Sequence, residues 1–173
     1  MELIDFVDAD DHPVARGPRG QAHRSGLYYR VAATILMVGP ARVLVYRRRP
    51  TAQVFPGHHD VLVGGSVRAG ESYGHAAQRE LAEEFSIRPR LRKVLRIPQS
   101  SPIGPCHLAV HLAEIDHLIE QLRPDRAEID GHAFSEIAQL LTDPPQPFTP
   151  NGGEVLRQLF AGPTPHFGAP HAP

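Results

Sequence analysis

Three glutamates, Glu80, Glu83 and Glu84, follow Arg79 within five positions, and Glu71 stands eight residues ahead of that arginine. On a helix, positions three and four apart share a face. At about 100° per residue the three carboxylates fall within an arc of roughly 100°. Left bare, like charges at i, i+4 disfavour the helix by about a few tenths of a kcal/mol. A hard divalent cation reverses that sign, because Mg²⁺ takes one or two carboxylates and completes its shell with water and phosphate oxygens. Arg79 sits four residues before Glu83 and can hold that carboxylate in place. Upstream, Gly64, Gly65 and Gly70 permit a tight loop that brings backbone N–H groups to an anion. Ser72 suits an N-cap, and Glu71 reaches either the helix start or the metal. A glutamate-rich face is also what a solvated helix shows; the fixed spacing of Gly65, Glu71 and Arg79-Glu80 separates the two readings.

Positioning such a face takes a helix on a sheet. Residues 72–85 contain no proline and place Ala77, Leu81 and Phe85 at i, i+4 and i+8, which predicts an amphipathic helix. The β-branched, apolar runs 31–38 and 42–46 flank Gly39-Pro40-Ala41 and predict a hairpin. Residues 60–63 read as a short strand ended by Gly64-Gly65, and further strands are expected over 90–97, 107–113 and 128–134. Helices are expected over 135–141 and 153–160. Two short N-terminal strands, 3–7 and 13–15, flank an acidic turn, and 17–26 is a basic, glycine-rich connector. The resulting fold class is an α/β sandwich with a mixed sheet. One domain spans 1–160 with an N-terminal strand extension over 1–30, followed by a disordered tail over 161–173.

Composition narrows the classes. The chain has 173 residues, 41% of them hydrophobic, and 18 Lys and Arg against 19 Asp and Glu, for a net charge of −1. That balance argues against a nucleic-acid or polybasic membrane partner. The apolar run 31–38 is far shorter than the roughly 20 residues of a membrane span, and the N-terminus lacks a secretory pattern, so a cytoplasmic protein is expected. The single cysteine, Cys106, excludes a disulfide framework and is read as a packed small residue. Of eleven histidines, His58-His59 beside Asp60 lack the spacing of a zinc site and are given a structural role. Tyr28, Tyr29 and Phe55 are the available stacking platforms.

Gly65, five residues, Glu71, seven residues, then Arg79-Glu80-Leu81-x-Glu83-Glu84-x-Ser86-Ile87 is similar to the signature of the Nudix hydrolases. Ser86 stands where that signature has glycine, a departure that bears on the helix end. The resemblance implies a Nudix-type α/β/α sandwich and a Mg²⁺-dependent attack of water on a diphosphate, with Mn²⁺ as a substitute. It implies Glu80, Glu83 and Glu84 as metal ligands and Arg79 and Glu71 as the residues that orient them. The base would be Glu83 or Glu84, with Glu128 a lesser candidate. The expected substrate is a nucleoside di- or triphosphate or another nucleoside-diphosphate-linked compound, handled by a monomer or homodimer.

Residues 44–49 (Leu-Val-Tyr-Arg-Arg-Arg), Phe55-Pro56-Gly57 and Phe148-Thr149-Pro150 further resemble the branch that contains isopentenyl-diphosphate isomerase. That likeness raises an alternative, isomerisation of prenyl diphosphates. A second alternative is a non-catalytic, ligand-binding regulatory module. The isomerase parts are mostly missing: Gly64 replaces the catalytic cysteine, Ser66 and Arg30 replace histidine ligands, and only His23 is kept. Arg48 matches the branch's diphosphate-contacting arginine and ranks ahead of Arg47; Gly64, Gly65 and His23 complete the expected substrate contacts.

Overall fold

The computed structural model describes residues 2–162. In chain order the elements are β1 (Leu3–Val7), β2 (Pro13–Pro18), α1 (Ala22–Ser25), β3 (Tyr29–Val38), β4 (Arg42–Arg48), β5 (His59–Asp60), β6 (Val63–Ser66), α2 (Tyr73–Phe85), β7 (Arg92–Ser101), β8 (Gly104–Glu114), β9 (Ile129–Glu136), α3 (Ile137–Thr142) and α4 (Pro150–Phe160). The expected tail lies outside the described residues from 163 onward. Among the described residues no helix is long and apolar enough to cross a membrane.

β3 is the central strand. It runs parallel to β8 from Tyr29 to Met37 and antiparallel to β6 over Val31–Thr34. Its pairing with β4 is confined to Met37–Val43 and Val38–Arg42, beside the turn at Gly39 (φ +60°). The expected 31–46 hairpin therefore forks after two pairs: β4 leaves to pair with β5 and β9, and β6 fills the vacated edge. β7 closes the far side against β8. The sheet is mixed, as the alternation of strands and helices implies.

Period-two alternation along β3 and β4 feeds both faces of the sheet. Ile35, Met37, Val43 and Val45 pack with Ile137, Leu140, Val155 and Leu156 of α3 and α4. Leu36, Val38, Leu44 and Tyr46 pack on the opposite side with Leu81 and Phe85 of α2. The α2 stripe is the one expected, since Ala77, Leu81 and Phe85 are all fully buried. Burying Leu81 and Phe85 stabilises the helix on its sheet by about 1.5–3 kcal/mol each.

The ends of α2 are capped. Ser72 Oγ accepts the His75 N–H at 3.2 Å. At the other end Ser86 adopts the left-handed conformation that glycine favours (φ +61°), and its N–H bonds Ala82 O. A side chain in that region is strained by about 1 kcal/mol or more. Ser86→Gly is expected to stabilise the fold by about 1 kcal/mol, offset slightly by the lost Oγ contact to Arg123 O, and to raise Tm by about 2–4 °C. Thermal unfolding checks this, and an unchanged or lower Tm contradicts it.

The N-terminal strands form a separate two-stranded ladder, with β2 running on to Pro18. The connector expected over 17–26 is more ordered than its glycines suggest: Arg19–Gln21 form a 3₁₀ turn leading into α1, which Gly26 (φ +66°) ends.

Candidate active site

β6, the loop over 67–72 and α2 present the acidic residues. Both glycines expected in the loop lie inside β6 instead, and each is demanded by a close approach. A Cβ on Gly64 would sit 2.0 Å from Ala32 O, and one on Gly65 would sit 2.7 Å from Glu80 Oε1. Gly64 thus lets β6 press onto β3, and Gly65 makes room for the Glu80 carboxylate. The tight turn is made by Gly70 (φ +76°), between the Arg68 carbonyl and the Glu71 N–H that bonds it.

Arg79 organises the acids. Its Nε and Nη2 donate to the two Glu71 oxygens at 3.0 and 3.1 Å, and Nη2 also donates to Ser66 O at 3.0 Å. Nη1 reaches Glu80 Oε1 at 2.5 Å and Glu83 Oε2 at 3.3 Å. Such a planar fork fixes several carboxylates at once. Glu71 also accepts the Arg68 N–H at 2.9 Å. Partial burial pushes the Glu71 carboxyl up, but Arg79 and that N–H outweigh it and hold it below the usual range.

Helical periodicity puts Glu80, Glu83 and Glu84 on one side of α2, yet their carboxylates are not gathered at one point. Glu83 is half-exposed (51%) and shared between Arg79 and Arg68. Glu80 is only 13% exposed, and burial lifts its pKa despite Arg79. Glu84 is the extreme case: burial and then the Glu80 charge push its carboxyl well above the normal range, against the opposing pull of Arg48. Among the described residues no hydrogen bond or salt bridge reaches the Glu84 carboxylate. An all-carboxylate set with one desolvated, unpartnered member fits a hard divalent ion. The tight His/carboxylate cluster among the described residues, Asp8, Asp10 and His12, lies elsewhere, at the hairpin turn. There Asp8 Oδ1 accepts the Asp10 and His12 N–H groups, each at 2.9 Å.

Strand alternation separates the arginines of β4. Arg48 turns inward: Nε donates to Val54 O at 2.8 Å and Nη1 to the buried Tyr46 hydroxyl at 3.3 Å. Arg47 turns outward to Gly57 O and Asp130 and lines neither cavity of the groove. The groove has two parts. One, about 110 Å³, is mainly apolar and lined by Tyr29, Val31, Arg48, Phe55, Leu62 and Cys106, among others. The other, about 380 Å³, is polar, with Arg48, Thr51, Gln53 and Glu128 in its wall. Arg19 and Arg48 border both, which joins them. Glu128 is exposed at the rim and within the electrostatic reach of Glu84. His23 belongs to α1, and its side chain lies outside what is described.

The expected platforms diverge. Tyr29 lines the apolar part, with its hydroxyl 2.8 Å from Ser101 Oγ, and Phe55 also faces it. Tyr28 instead stacks on His107, centroids 4.7 Å apart. Cys106 is buried, as expected, and burial pushes its thiol up to about 11, an inert state.

Two groove residues escape the sequence reading. Asp60 is buried in the wall, where Oδ1 accepts the Val61 and Leu62 N–H groups at 2.8 and 3.0 Å and Thr149 donates from the start of α4. Its one sequence signal is an acid leading directly into Val61-Leu62-Val63. Arg19 gives no signal, lying in what reads as a connector.

Fold and site together define an α/β/α sandwich whose strand–loop–helix holds an arginine-organised acidic cluster beside a groove. The family model for the NUDIX domain matches residues 28–159, and the chain belongs to the Nudix family. An uncharacterized Nudix hydrolase of Rhodococcus erythropolis is 31% identical over 167 residues, 90% of each chain. An isopentenyl-diphosphate Delta-isomerase of Serratia proteamaculans is 30% identical over 168 residues, 92% of each. Among solved structures, DR0079 from Deinococcus radiodurans superposes with a TM-score of 0.78 at 24% identity, covering 92% of this chain and 99% of its own. The NUDIX domain of Shewanella oneidensis NrtR, complexed with ADP ribose, gives 0.61 at 17% identity, covering 76% and 85%. Nudix hydrolases act on pyrophosphate bonds and generally use divalent metals.

Proposed function

We propose that this protein is a Mg²⁺-dependent hydrolase, tolerant of Mn²⁺, that cleaves the phosphoanhydride bond of a nucleoside di- or triphosphate or a nucleoside-diphosphate-linked compound in the cytoplasm. The observation that carries the reading is Glu84: a desolvated carboxylate beside Glu80, with no hydrogen bond or salt bridge among the described residues, and within electrostatic reach of Arg48 and Glu128, which line the groove. The ADP ribose held by the NrtR neighbour supports a nucleotide-linked substrate.

Glu80 and Glu84 would hold the cation, with Glu83 at its exposed side. When bound, the ion neutralises phosphoryl oxygens and acidifies water. Arg79 keeps Glu80 and Glu83 oriented, and Glu71 keeps Arg79 oriented. Arg48 offers its remaining N–H groups to phosphate oxygens. A glutamate, Glu83 or Glu84, accepts the proton of the attacking water, with Glu128 at the rim as the other candidate.

The isomerase reading draws on the Serratia relative, but Gly64 opposes it. The cysteine that mechanism requires has no space for its Cβ against Ala32 O.

A panel of nucleotides, sugar nucleotides, dinucleotides and prenyl diphosphates, assayed with Mg²⁺ and with EDTA, tests the proposal. Metal-dependent release of phosphate, pyrophosphate or a nucleoside monophosphate is expected. No metal-dependent turnover sinks the hydrolase reading and leaves the binding module; solvent-deuterium incorporation into isopentenyl diphosphate without hydrolysis restores the isomerase.

A further inference from the structure

We propose that the N-terminal hairpin is a clamp on the loop that orients the acidic cluster, and that Asp5 is a positioning residue acting through Gly70, Glu71 and Arg79. The hairpin precedes the part of the chain that matches the family domain, 28–159. It nevertheless grips the loop residue by residue. Leu3 O accepts the Ala69 N–H at 2.9 Å, Ile4 bridges Arg68, and Glu2 Oε1 accepts from Arg68 Nε at 3.3 Å. Asp5 makes the most consequential contact: Oδ2 accepts the Gly70 N–H at 2.7 Å, while Oδ1 accepts from Arg16 Nε at 2.9 Å.

The far end of the hairpin grips the other side of the same loop. Buried Asp11 accepts the hydroxyl of Tyr73, the first residue of α2, at 3.0 Å. Arg30 and Arg96 hold that carboxylate at 2.6 and 2.8 Å. The segment from Gly70 to Tyr73 is thus pinned at both ends by acids that the sequence reading placed in a strand and an acidic turn.

The consequence runs along short covalent and polar links. Gly70 immediately precedes Glu71, both of whose oxygens bind Arg79, and Arg79 in turn sets Glu80 and Glu83. Without Asp5 the Gly70 N–H loses its acceptor, and the turn that carries Glu71 is then held by the Glu71 N–H bond to Arg68 O and the Ala69 N–H bond to Leu3 O. Groups that orient metal ligands affect metal affinity or activity by about 10–100-fold when lost.

The proposal rests on the hydrolase reading for its Mn²⁺-binding and activity arms, and on geometry alone for its exchange arm. Wild type, Asp5→Ala, Asp5→Asn and Arg16→Ala are compared by amide hydrogen exchange over 69–71, by equilibrium Mn²⁺ binding, and by kcat and KM on whichever substrate the panel yields. In Asp5→Ala the Gly70 amide is expected to exchange at least about tenfold faster. Mn²⁺ binding and kcat are expected to fall about tenfold or more, with KM within about twofold. Asp5→Asn keeps an acceptor for Gly70 and recovers most of the loss. Arg16→Ala removes only the ion pair and behaves as wild type. Unchanged Gly70 exchange in Asp5→Ala overturns the clamp. So does faster exchange with unaltered Mn²⁺ affinity and kcat, or a parallel decline of all three variants that tracks Tm. If Asp5→Ala does not fold, Asp5→Glu takes its place: it keeps the charge but shifts the acceptor by one methylene, and the same ordering is expected. If wild type neither binds Mn²⁺ nor turns over anything in the panel, the hydrolase reading fails while Gly70 exchange still decides the clamp.

Discussion

Glu84→Gln is expected to lower metal-dependent turnover at least about a hundredfold while leaving the metal-free protein no less stable than wild type. This follows from the environment of this carboxylate. Burial and the neighbouring Glu80 charge raise its pKa in the folded state. A carboxyl whose folded pKa exceeds its unfolded one subtracts stability once pH passes the unfolded value, and neutral pH lies well above it. Glutamine keeps the shape, removes the charge and relieves that penalty. A divalent ion relieves it in the wild type too, so Mg²⁺ is expected to raise the Tm of wild type and not of the variant. Thermal unfolding with and without Mg²⁺, alongside turnover, checks all three statements. Turnover near wild type removes Glu84 from the chemistry. An equal Mg²⁺ shift in both proteins removes it from the metal site.

Glu83 provides the contrast. It is half-exposed and bonded to Arg79 and Arg68, so its loss removes two ion pairs and no buried charge. The sequence could place these two acids on one helical face through a 3.6-residue period. It could not tell them apart, because the difference lies in what β4 brings opposite the helix: Arg48, with Tyr46 behind it. Contacts between distant segments have no local signature.

The same limit explains the rest of the comparison. The α2 helix, its buried stripe and its Ser72 cap were legible because they are local and periodic. The fork between β3 and β4 was not. Gly39-Pro40-Ala41 predicts a hairpin, but nothing within 31–46 says that β6 competes for the same edge. Asp5 and Asp11 were visible only as strand and turn residues, since their partners, Gly70 and Tyr73, lie 65 and 62 positions away.

Gly64→Ala is expected to destabilise the protein by about 3 kcal/mol, lowering Tm by about 6–12 °C, because a methyl there meets backbone that cannot yield. The new carbon would lie 2.0 Å from Ala32 O and 2.6 Å from Ala33 Cα, both in the central strand. Relief requires β6 to peel from β3, giving up the Ala33–Gly64 pairing and the seat of Val63 in the core. Gly65→Ala is the informative control. The three atoms nearest its Cβ all belong to the carboxylate end of Glu80, at 2.7 to 3.0 Å, and that side chain can swing away. Neighbouring glycines in one strand are therefore expected to fail differently, Gly64→Ala in thermal unfolding and Gly65→Ala in turnover with Tm nearly intact. Equal Tm losses in both would mean that β6 is held by something other than its fit to β3. The distinction also bears on the isomerase alternative. Putting a cysteine at position 64 adds the same Cβ before it adds a thiol, so Gly64→Cys is expected to lose at least as much Tm as Gly64→Ala and to gain no isomerase activity.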